Sequence, residues 1–451
     1  MRTNNAIVST RTVICRRIPY GKIDMRLYHL LRPLARLSIG IYYRKIHVSG
    51  LENIPQDKPV VFAANHPTAF TEPCILACWQ PRDLHFLVRG DFFVHPAANW
   101  ALRQLNQVPV YRKKDAGFEG IKNNFETFQV MYRLLTEGEA VMILAEGNTK
   151  WEKRLRPLQK GSARMLLGVL DTYPDLDVHL VPVGVNYTDA PKFRSEVMFE
   201  IGEPMPAQKY AATYLEKPPK AIREVTKELD AALRNLIVII EDPADEALAE
   251  GLFTLLASNR RSPVLPRTVL NGNRFREEKR AANFVNQLEE TEKEHVATRL
   301  DTYFGALKKL DITDYGLTHT AFDNAWTVLV LVFGFVPYIF GMLTNALPAY
   351  VTYWIGKEKV KAIEFKASIW AASGMGTFLV YYLILIAVGF MVGRAGFWLL
   401  LFFVPVLGYF SLLYRDYLVK YRQAARAARV PDARRQELLM QRADLLKLVS
   451  D

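Results

Sequence analysis

The sequence predicts an α/β domain with a mixed central sheet, followed by a helical region and a C-terminal membrane domain of α-helices. Strand-like apolar runs alternate with helical patterns from about residue 45 to 205, which is typical of a largely buried central sheet. Three uncharged runs of 33, 27 and 20 residues then follow between Asp323 and Arg415. About 20 apolar residues are enough to cross a bilayer, so these runs indicate an integral membrane protein.

Composition sets broad limits on fold and partners. A chain of 451 residues is long enough for two or three domains. The formal net charge of +12 favours an anionic partner, such as a membrane surface or a phosphorylated substrate. The three cysteines, Cys15, Cys74 and Cys78, form neither a disulfide framework nor a zinc motif. A zinc site is therefore not expected, and we expect no other metal and no cofactor. The N-terminus has no apolar run of signal-peptide length.

The α/β domain is predicted to occupy residues 45–210. Its strand-like runs are 59–65, 84–90, 107–111, 140–147, 178–187 and 196–204, and helical patterns fill 117–137 and 161–173. The preceding segment, 1–44, carries an amphipathic helix at 25–43 that either packs on the core or lies in a membrane interface. Residues 211–322 are predicted to form a helical subdomain that links the α/β domain to the membrane.

The membrane region is predicted to cover residues 323–415, with 416–451 as a basic cytoplasmic tail. Basic residues follow the first and third uncharged runs: Lys357, Lys359, Lys361, Lys366, Arg415, Lys420, Arg422, Arg426 and Arg429. The excess of Lys and Arg on the cytoplasmic side of membranes places both clusters there. Residues 369–393 and 396–414 are then two spans. Pro337, Gly341 and Pro348 interrupt 325–355, which we predict to re-enter as short helices, a third span being the alternative.

A histidine and a glutamate six positions apart follow the first predicted strand, 59–65, in the stretch FAANHPTAFTEPC at 62–74. Taken alone, His66 could simply cap the next helix. With Glu72, however, it fits a general base whose ring is oriented by a carboxylate. No G-x-S-x-G nucleophile motif is present, so we expect the nucleophile to arrive with the substrate. Cys74 and Cys78 are expected to be packing residues.

Basic residues cluster where two later strands end. VPVYRKKD places Arg112 after one strand, and AEGNTKWEKRLRPLQKGSARM places Glu146 and Gly147 at the end of the other. Lys150, Lys153, Arg154, Arg156 and Lys160 precede a helix that begins near residue 161. Basic loops and a helix N-terminus at the carboxyl ends of strands favour anion binding. Arg112 is suited to grip a phosphate with two parallel hydrogen bonds.

Four blocks in this order resemble the glycerophosphate acyltransferase superfamily: KIHVSGLENIPQDKPVVFAANH with the His66 motif, VPVYR, AEGNTK and LVPVGVNY. LVPVGVNYTDAPKFRSEVMFEIGEPM is similar to the branch of fungal glycerol-3-phosphate and dihydroxyacetone-phosphate acyltransferases and their bacterial relatives. That branch has five residues between the histidine and the acid, as here. The acid is Glu72 instead of aspartate. Ala145 replaces the proline of the usual F-P-E-G-T-R, and Asn148 is inserted before Thr149.

The resemblance implies an enzyme of phospholipid biosynthesis that transfers a fatty acyl group to glycerol 3-phosphate or 1-acylglycerol 3-phosphate. Acyl-CoA or an acyl carrier protein would be the donor. His66 would act as the base and Glu72 would hold its ring; Asn65, Arg112, Glu146, Gly147, Thr149, Lys150, Arg156 and Lys160 would bind substrate. We expect contact with membrane lipids and no nucleic acid, and a catalytic domain on the cytoplasmic face of a bacterial inner membrane. Another lysophospholipid or lipid-linked acceptor, and a catalytically silent membrane scaffold, remain alternatives.

Overall fold

The computed structural model describes residues 26–111, 127–259, 265, 267–319 and 325–450. Arg112 and the first part of the predicted helix 117–137 lie outside them. Within the described residues, a nine-stranded sheet has the order β4-β3-β5-β2-β6-β7-β1-β9, and β8 pairs with β6. The strands are β1 (Lys45–Ser49), β2 (Val60–Ala64), β3 (Leu84–Arg89), β4 (Gln107–Val110), β5 (Ala140–Leu144), β6 (His179–Tyr187), β7 (Glu196–Ile201), β8 (Met205–Pro206) and β9 (Thr268–Val269).

The sheet is mixed, as predicted. β2, β3, β4, β5 and β6 are mutually parallel, whereas β6 pairs with β7 in antiparallel orientation, and β7, β1 and β9 are parallel to one another. The carboxyl ends of the five parallel strands, β2 to β6, therefore meet at one edge of the sheet. Each of the six predicted strand runs contains a strand. β1, β8 and β9 lie outside the predicted strand runs.

Helices cover both faces of the sheet. Side chains of a strand alternate between its faces, and in β2 Phe62 belongs to one apolar core while Val61 and Ala63 belong to the other. The helices of this domain are α1 (Arg26–Tyr42), α2 (Thr71–Trp79), α3 (Pro96–Gln104), α4 (described over 127–136), α5 (Gly161–Gly168), α6 (Gln208–Glu216) and α7 (Pro218–Leu236). The fully buried β2 thus lies at the centre of the domain.

A third apolar core belongs to the helical subdomain. It is built by α8 (Glu246–Ser258), α9 (Asn273–Gln287), α10 (Glu290–Lys309), α11 (Asp314–Thr318) and the C-terminal α17 (Asp432–Ser450). Leu438, Leu445 and Val449 of α17 are buried there. The region predicted as a basic tail, 416–451, is therefore not a free tail. Its apolar residues recur at helical spacing and complete the core of the helical subdomain.

Three helical stretches in the described part of the chain are long and apolar enough to cross a membrane: Trp326–Thr344, Ile363–Val392 and Ala395–Ala427. The first contains α12 (Ala325–Phe333) and α13 (Phe335–Thr344), and α14 (Ala346–Trp354) follows it. The other two are α15 (Ile363–Val392) and α16 (Ala395–Ala427), which form a hairpin joined at Gly393 and Arg394. Gly393 has a φ of 64°, a conformation that glycine adopts without steric cost.

The segment α12–α14 packs against both arms of this hairpin. Hydrogen bonds join α12, α13 and the following Asn345 to α16. Tyr414 donates to the Leu331 carbonyl (2.7 Å), Ser411 to the Tyr338 carbonyl (2.8 Å) and the Asn345 amide to the Val404 carbonyl (3.0 Å), and the Thr327 and Tyr417 hydroxyls lie 3.0 Å apart. From Asn345 onward the contacts are with α15. Tyr382 of α15 donates to the Asn345 side chain (2.8 Å), and the hydroxyl of Thr377 lies 2.7 Å from that of Thr352. The chain thus runs along α16 and returns along α15.

Candidate active site

His66 lies at the sheet edge where the carboxyl ends of the parallel strands meet. The preceding residue, Asn65, is buried, and its amide donates to the Val185 carbonyl (2.9 Å) and accepts from the Val185 N–H (2.8 Å). This reciprocal pair continues the β2–β6 contact by one side chain. These contacts attach the residue before His66 to β6, and substrate binding by Asn65 stays a prediction.

The two ring nitrogens of His66 have different partners. Nδ1 lies 3.4 Å from Oε2 of Glu72, and Nε2 lies 2.7 Å from the hydroxyl of Thr149. The structure therefore brings together three of the predicted site residues. Glu72 orients one side of the ring, and a hydroxyl group occupies the other side. This is the arrangement in which an imidazole can accept a proton from a hydroxyl at Nε2.

Glu72 is fully buried and is held by neighbours that the sequence reasoning did not single out. Its Oε1 accepts from the Thr68 N–H (2.8 Å), the Thr68 hydroxyl (2.6 Å) and the Tyr187 hydroxyl (3.1 Å). Burial and the adjacent Glu72 charge raise the pKa of Tyr187 well above 10, so its phenol remains a donor. Glu72 also lies in the first turn of α2, where the helix dipole favours a negative charge.

Glu146 anchors the main chain of the histidine turn. It is 4% exposed, and its Oε2 accepts from the His66 N–H at 2.6 Å. Arg156 then clamps the same carboxylate: its Nη2 lies 2.7 Å from Oε2 and its backbone N–H lies 2.8 Å from Oε1. The Arg156 guanidinium also donates to the His66 carbonyl (3.1 Å) and to the side chain of Asn148 (2.7 Å). Arg156 and Glu146 thus act on the fold around His66.

Other residues of the third block remain near the surface. Lys150 is 61% exposed in its side chain and pairs with Glu152 at 2.9 Å, and Lys160 is exposed just before α5. Gly147 has a φ of 71°, and a Cβ there would come within 2.8 Å of Gln159, so the turn requires glycine. Lys150 and Lys160 are therefore two exposed basic residues near the end of β5.

The thiol of Cys78 is a poor nucleophile. It is buried, and burial raises its pKa to about 12, which leaves little nucleophilic thiolate.

An open cleft of about 530 Å³ lies between α1 and the C-terminal end of α2, lined by residues that include Arg32, Arg36 and Trp79. It lies at the end of α2 opposite Glu72. Among the described residues, no group of three or more His, Cys, Asp or Glu side chains is placed to hold a metal ion.

Comparison with known proteins shows which family the α/β domain matches. Residues 45–186 match the Acyltransferase family. The chain is 30% identical over 115 residues to glycerol-3-phosphate O-acyltransferase 1 of Saccharomyces cerevisiae, and 33% identical over 112 residues to glycerol-3-phosphate O-acyltransferase 2 of the same yeast. Each match covers 25% of this chain and 15% of the yeast protein. The chain thus matches under a fifth of the length of these curated relatives.

A solved structure also aligns with this chain. The 1-acyl-sn-glycerophosphate (LPA) acyltransferase PlsC from Thermotoga maritima is 17% identical, with a TM-score of 0.32 over 46% of this chain and 80% of that one. The family match and the yeast relatives, together with the sheet-edge His66 site, define an acyltransferase domain. The match of residues 45–186 to the Acyltransferase family and the similarity to the two yeast glycerol-3-phosphate O-acyltransferases support the resemblance to the glycerophosphate acyltransferase superfamily that the four sequence blocks indicated.

Proposed function

We propose that this protein is a membrane-bound O-acyltransferase that esterifies glycerol 3-phosphate or 1-acylglycerol 3-phosphate from an acyl thioester, either acyl-CoA or acyl carrier protein. The observation that carries the proposal is the placement of a hydroxyl 2.7 Å from Nε2 of His66 while the buried Glu72 holds Nδ1. The Thr149 hydroxyl marks the position that an acceptor hydroxyl would take.

The chemistry follows from this geometry. Nε2 of His66 takes the proton of the acceptor hydroxyl as the oxygen bonds to the thioester carbonyl carbon. Collapse of the tetrahedral intermediate breaks the carbon–sulfur bond, and the departing thiolate recovers the proton from His66. Thiolate is a good leaving group, so no covalent acyl-enzyme is required. A general base of this kind contributes roughly 10²- to 10⁴-fold in rate.

A phosphorylated acceptor fits the charge of the surrounding loops. Lys150 is exposed on the same turn as Thr149, and Lys160 precedes the N-terminus of α5. Arg112 follows β4, which ends at the same sheet edge as β2 and β5; its side chain lies outside the described residues and its role rests on the sequence resemblance. A phosphate held by these cations would fix the acceptor hydroxyl beside His66.

The first experiment compares the detergent-purified protein with His66→Ala, using acyl-CoA and acyl carrier protein donors. Each donor is offered with glycerol 3-phosphate, 1-acylglycerol 3-phosphate and a neutral lysophospholipid in separate reactions. We expect His66→Ala to lower kcat by about 10²- to 10⁴-fold. His295→Ala, an exposed histidine on α10, is the matched control and should keep wild-type activity.

Each outcome of this experiment favours a different one of the candidate functions. Transfer only to the neutral acceptor would replace the phosphorylated-acceptor proposal with the other lysophospholipid. A wild type that is inert with every donor and acceptor would favour a silent membrane scaffold. A fully active His66→Ala variant would show that the histidine is not the base.

We further propose that 325–355 re-enters the membrane and that the α15–α16 hairpin supplies the spans. The support is the order of contacts: α12–α13 approach from the basic end of α16, and α14 returns toward the basic end of α15. The turn at Asn345 is stabilised because its amide bonds the Gly341 and Val404 carbonyls. Both basic ends would then face the cytoplasm. Labelling of a cysteine introduced at Lys361 should occur only from the cytoplasmic side; labelling from the outer side would overturn this topology.

A further inference from the structure

The turn between His66 and Glu72 is fastened to a membrane helix. The N–H of Ala69 donates to the Glu364 carbonyl (3.1 Å), and the N–H of Phe70 donates to the hydroxyl of Ser368 (2.9 Å). The Thr71 and Ser368 hydroxyls lie 2.9 Å apart. Residues 364–368 form the start of α15, about 300 residues further along the chain.

Apolar packing reinforces these hydrogen bonds. The ring of Phe70 contacts that of Phe365 in an edge-on arrangement, with centroids 5.9 Å apart. Ser368 is only 7% exposed, so water does not readily replace its hydroxyl as a partner for the Phe70 N–H. The contact between the turn from His66 to Glu72, here called the catalytic turn, and α15 is therefore buried and made by specific side chains.

Ser368 supplies a cap that α2 lacks within its own sequence. Phe70 occupies the N-cap position of α2 and has no side chain that can bond the free N–H groups there. In a capping box, the side chain of the third helical residue accepts the N–H of the N-cap residue. That residue is Pro73 here, which has no side-chain acceptor, and the carboxylate of the neighbouring Glu72 is committed to Thr68, Tyr187 and His66. Ser368 accepts that N–H from another part of the chain.

We propose that Ser368 is a positioning residue for the His66–Glu72 pair, so that the base of a membrane helix sets the geometry of the catalytic turn. This inference rests on the proposed acyl transfer by His66. Ser368 contacts neither ring nitrogen of His66. It fixes Phe70 and Thr71, the two residues immediately before Glu72, and thereby the distance from Glu72 to the imidazole.

The test is the kinetic effect of Ser368→Ala in the full-length, detergent-purified protein with acyl-CoA and the acceptor that the wild type uses. We expect kcat to fall roughly tenfold, since small displacements of a catalytic group cost up to about 10²-fold. The KM for the acceptor should stay unchanged, because no substrate contact is lost. Ser368→Thr keeps the hydroxyl and should restore kcat to within about threefold of wild type.

The matched control is Ser373→Ala, on the same helix. The Ser373 hydroxyl bonds the Trp370 carbonyl of its own helix at 3.3 Å, so its removal should leave kcat unchanged. Thr71→Ala removes the other hydroxyl of the pair without changing the membrane helix, and should also lower kcat. It keeps the test decisive if Ser368→Ala does not give a monodisperse protein.

A double mutant separates positioning from general stability. In a His66→Ala background, Ser368→Ala should cause no further loss of residual activity, because its effect passes through His66. Wild-type kcat in a correctly folded Ser368→Ala or Thr71→Ala variant, or an equal loss in Ser373→Ala, would overturn the inference. Full activity of His66→Ala alone would instead refute the proposed function, so the two failures are distinguishable.

Discussion

The Arg156 clamp gives the sharpest test of how the site is built. The sequence resemblance implied that Arg156 binds substrate, whereas the structure engages its guanidinium with Glu146, Asn148 and the His66 carbonyl. The two roles predict different results for Arg156→Ala. A substrate ligand would raise the KM of the phosphorylated acceptor and leave stability unchanged. A structural clamp would lower the free energy of unfolding and kcat together.

The magnitude follows from the burial of the pair. The side chains of Arg156 and Glu146 are 16% and 2% exposed, and removing one partner of a buried ion pair typically costs about 3–5 kcal/mol. In Arg156→Ala, Glu146 keeps the backbone N–H groups of His66 and residue 156 as donors. We therefore expect the lower end of that range, about 3 kcal/mol.

The assay is denaturant unfolding in detergent, followed by tryptophan fluorescence, with initial-rate kinetics on the same preparations. The double variant Glu146→Gln with Arg156→Met should recover at least half of the lost stability, because it leaves no uncompensated buried charge. A raised acceptor KM in Arg156→Ala with wild-type stability would refute the clamp and favour a substrate ligand.

Two further predictions concern other hydrogen-bonded carboxylates. Tyr187→Phe removes one donor to Glu72, a loss of about 1 kcal/mol that should lower kcat about fivefold; saturating initial rates equal to wild type would contradict it. Burial acts to raise the pKa of Glu196, but the hydrogen bond from His47 and the Arg44 charge outweigh it, so the pKa lies well below 4.5. The stability that this carboxylate contributes is present above pH 4.5 and is lost as the pH falls toward the folded-state pKa. Glu196→Gln should therefore destabilise the protein at pH 7, by a margin that shrinks below about pH 4.5 in denaturant unfolding.

Local pattern was enough to predict much of the α/β domain. The apolar run around Phe62 is short and bounded by polar residues, and it forms the buried β2. The sequence also placed His66 and Glu146 directly after two strand runs of one sheet, and the structure brings both to the edge where the carboxyl ends of the parallel strands β2 and β5 meet. The His66–Glu72 contact followed from sequence spacing, because a turn of five residues returns the chain within reach of the ring.

Contacts between distant segments could not be predicted in the same way. Nothing near Ser368 in the sequence marks it as a partner of Phe70, since the hydroxyl of a serine in an apolar run commonly bonds its own helix. The role of α17 was missed for a similar reason: its charged residues dominate the local composition, while three buried apolar side chains fix it to the helical subdomain. In both cases the decisive interaction depends on tertiary packing and not on local propensity.

The glutamate at position 72 can be understood from the same geometry. Its Oε1 meets the donors of Thr68 and Tyr187, while Oε2 lies 3.4 Å from the His66 ring. An aspartate on this backbone would be one methylene shorter, and its carboxylate would retreat from the ring and from Tyr187 by more than a hydrogen bond tolerates. The longer side chain is therefore matched to the position of α2, which the contact between Phe70 and the membrane helix holds. The glutamate at position 72 and the contact between the catalytic turn and α15 therefore act together to place the carboxylate beside the His66 ring.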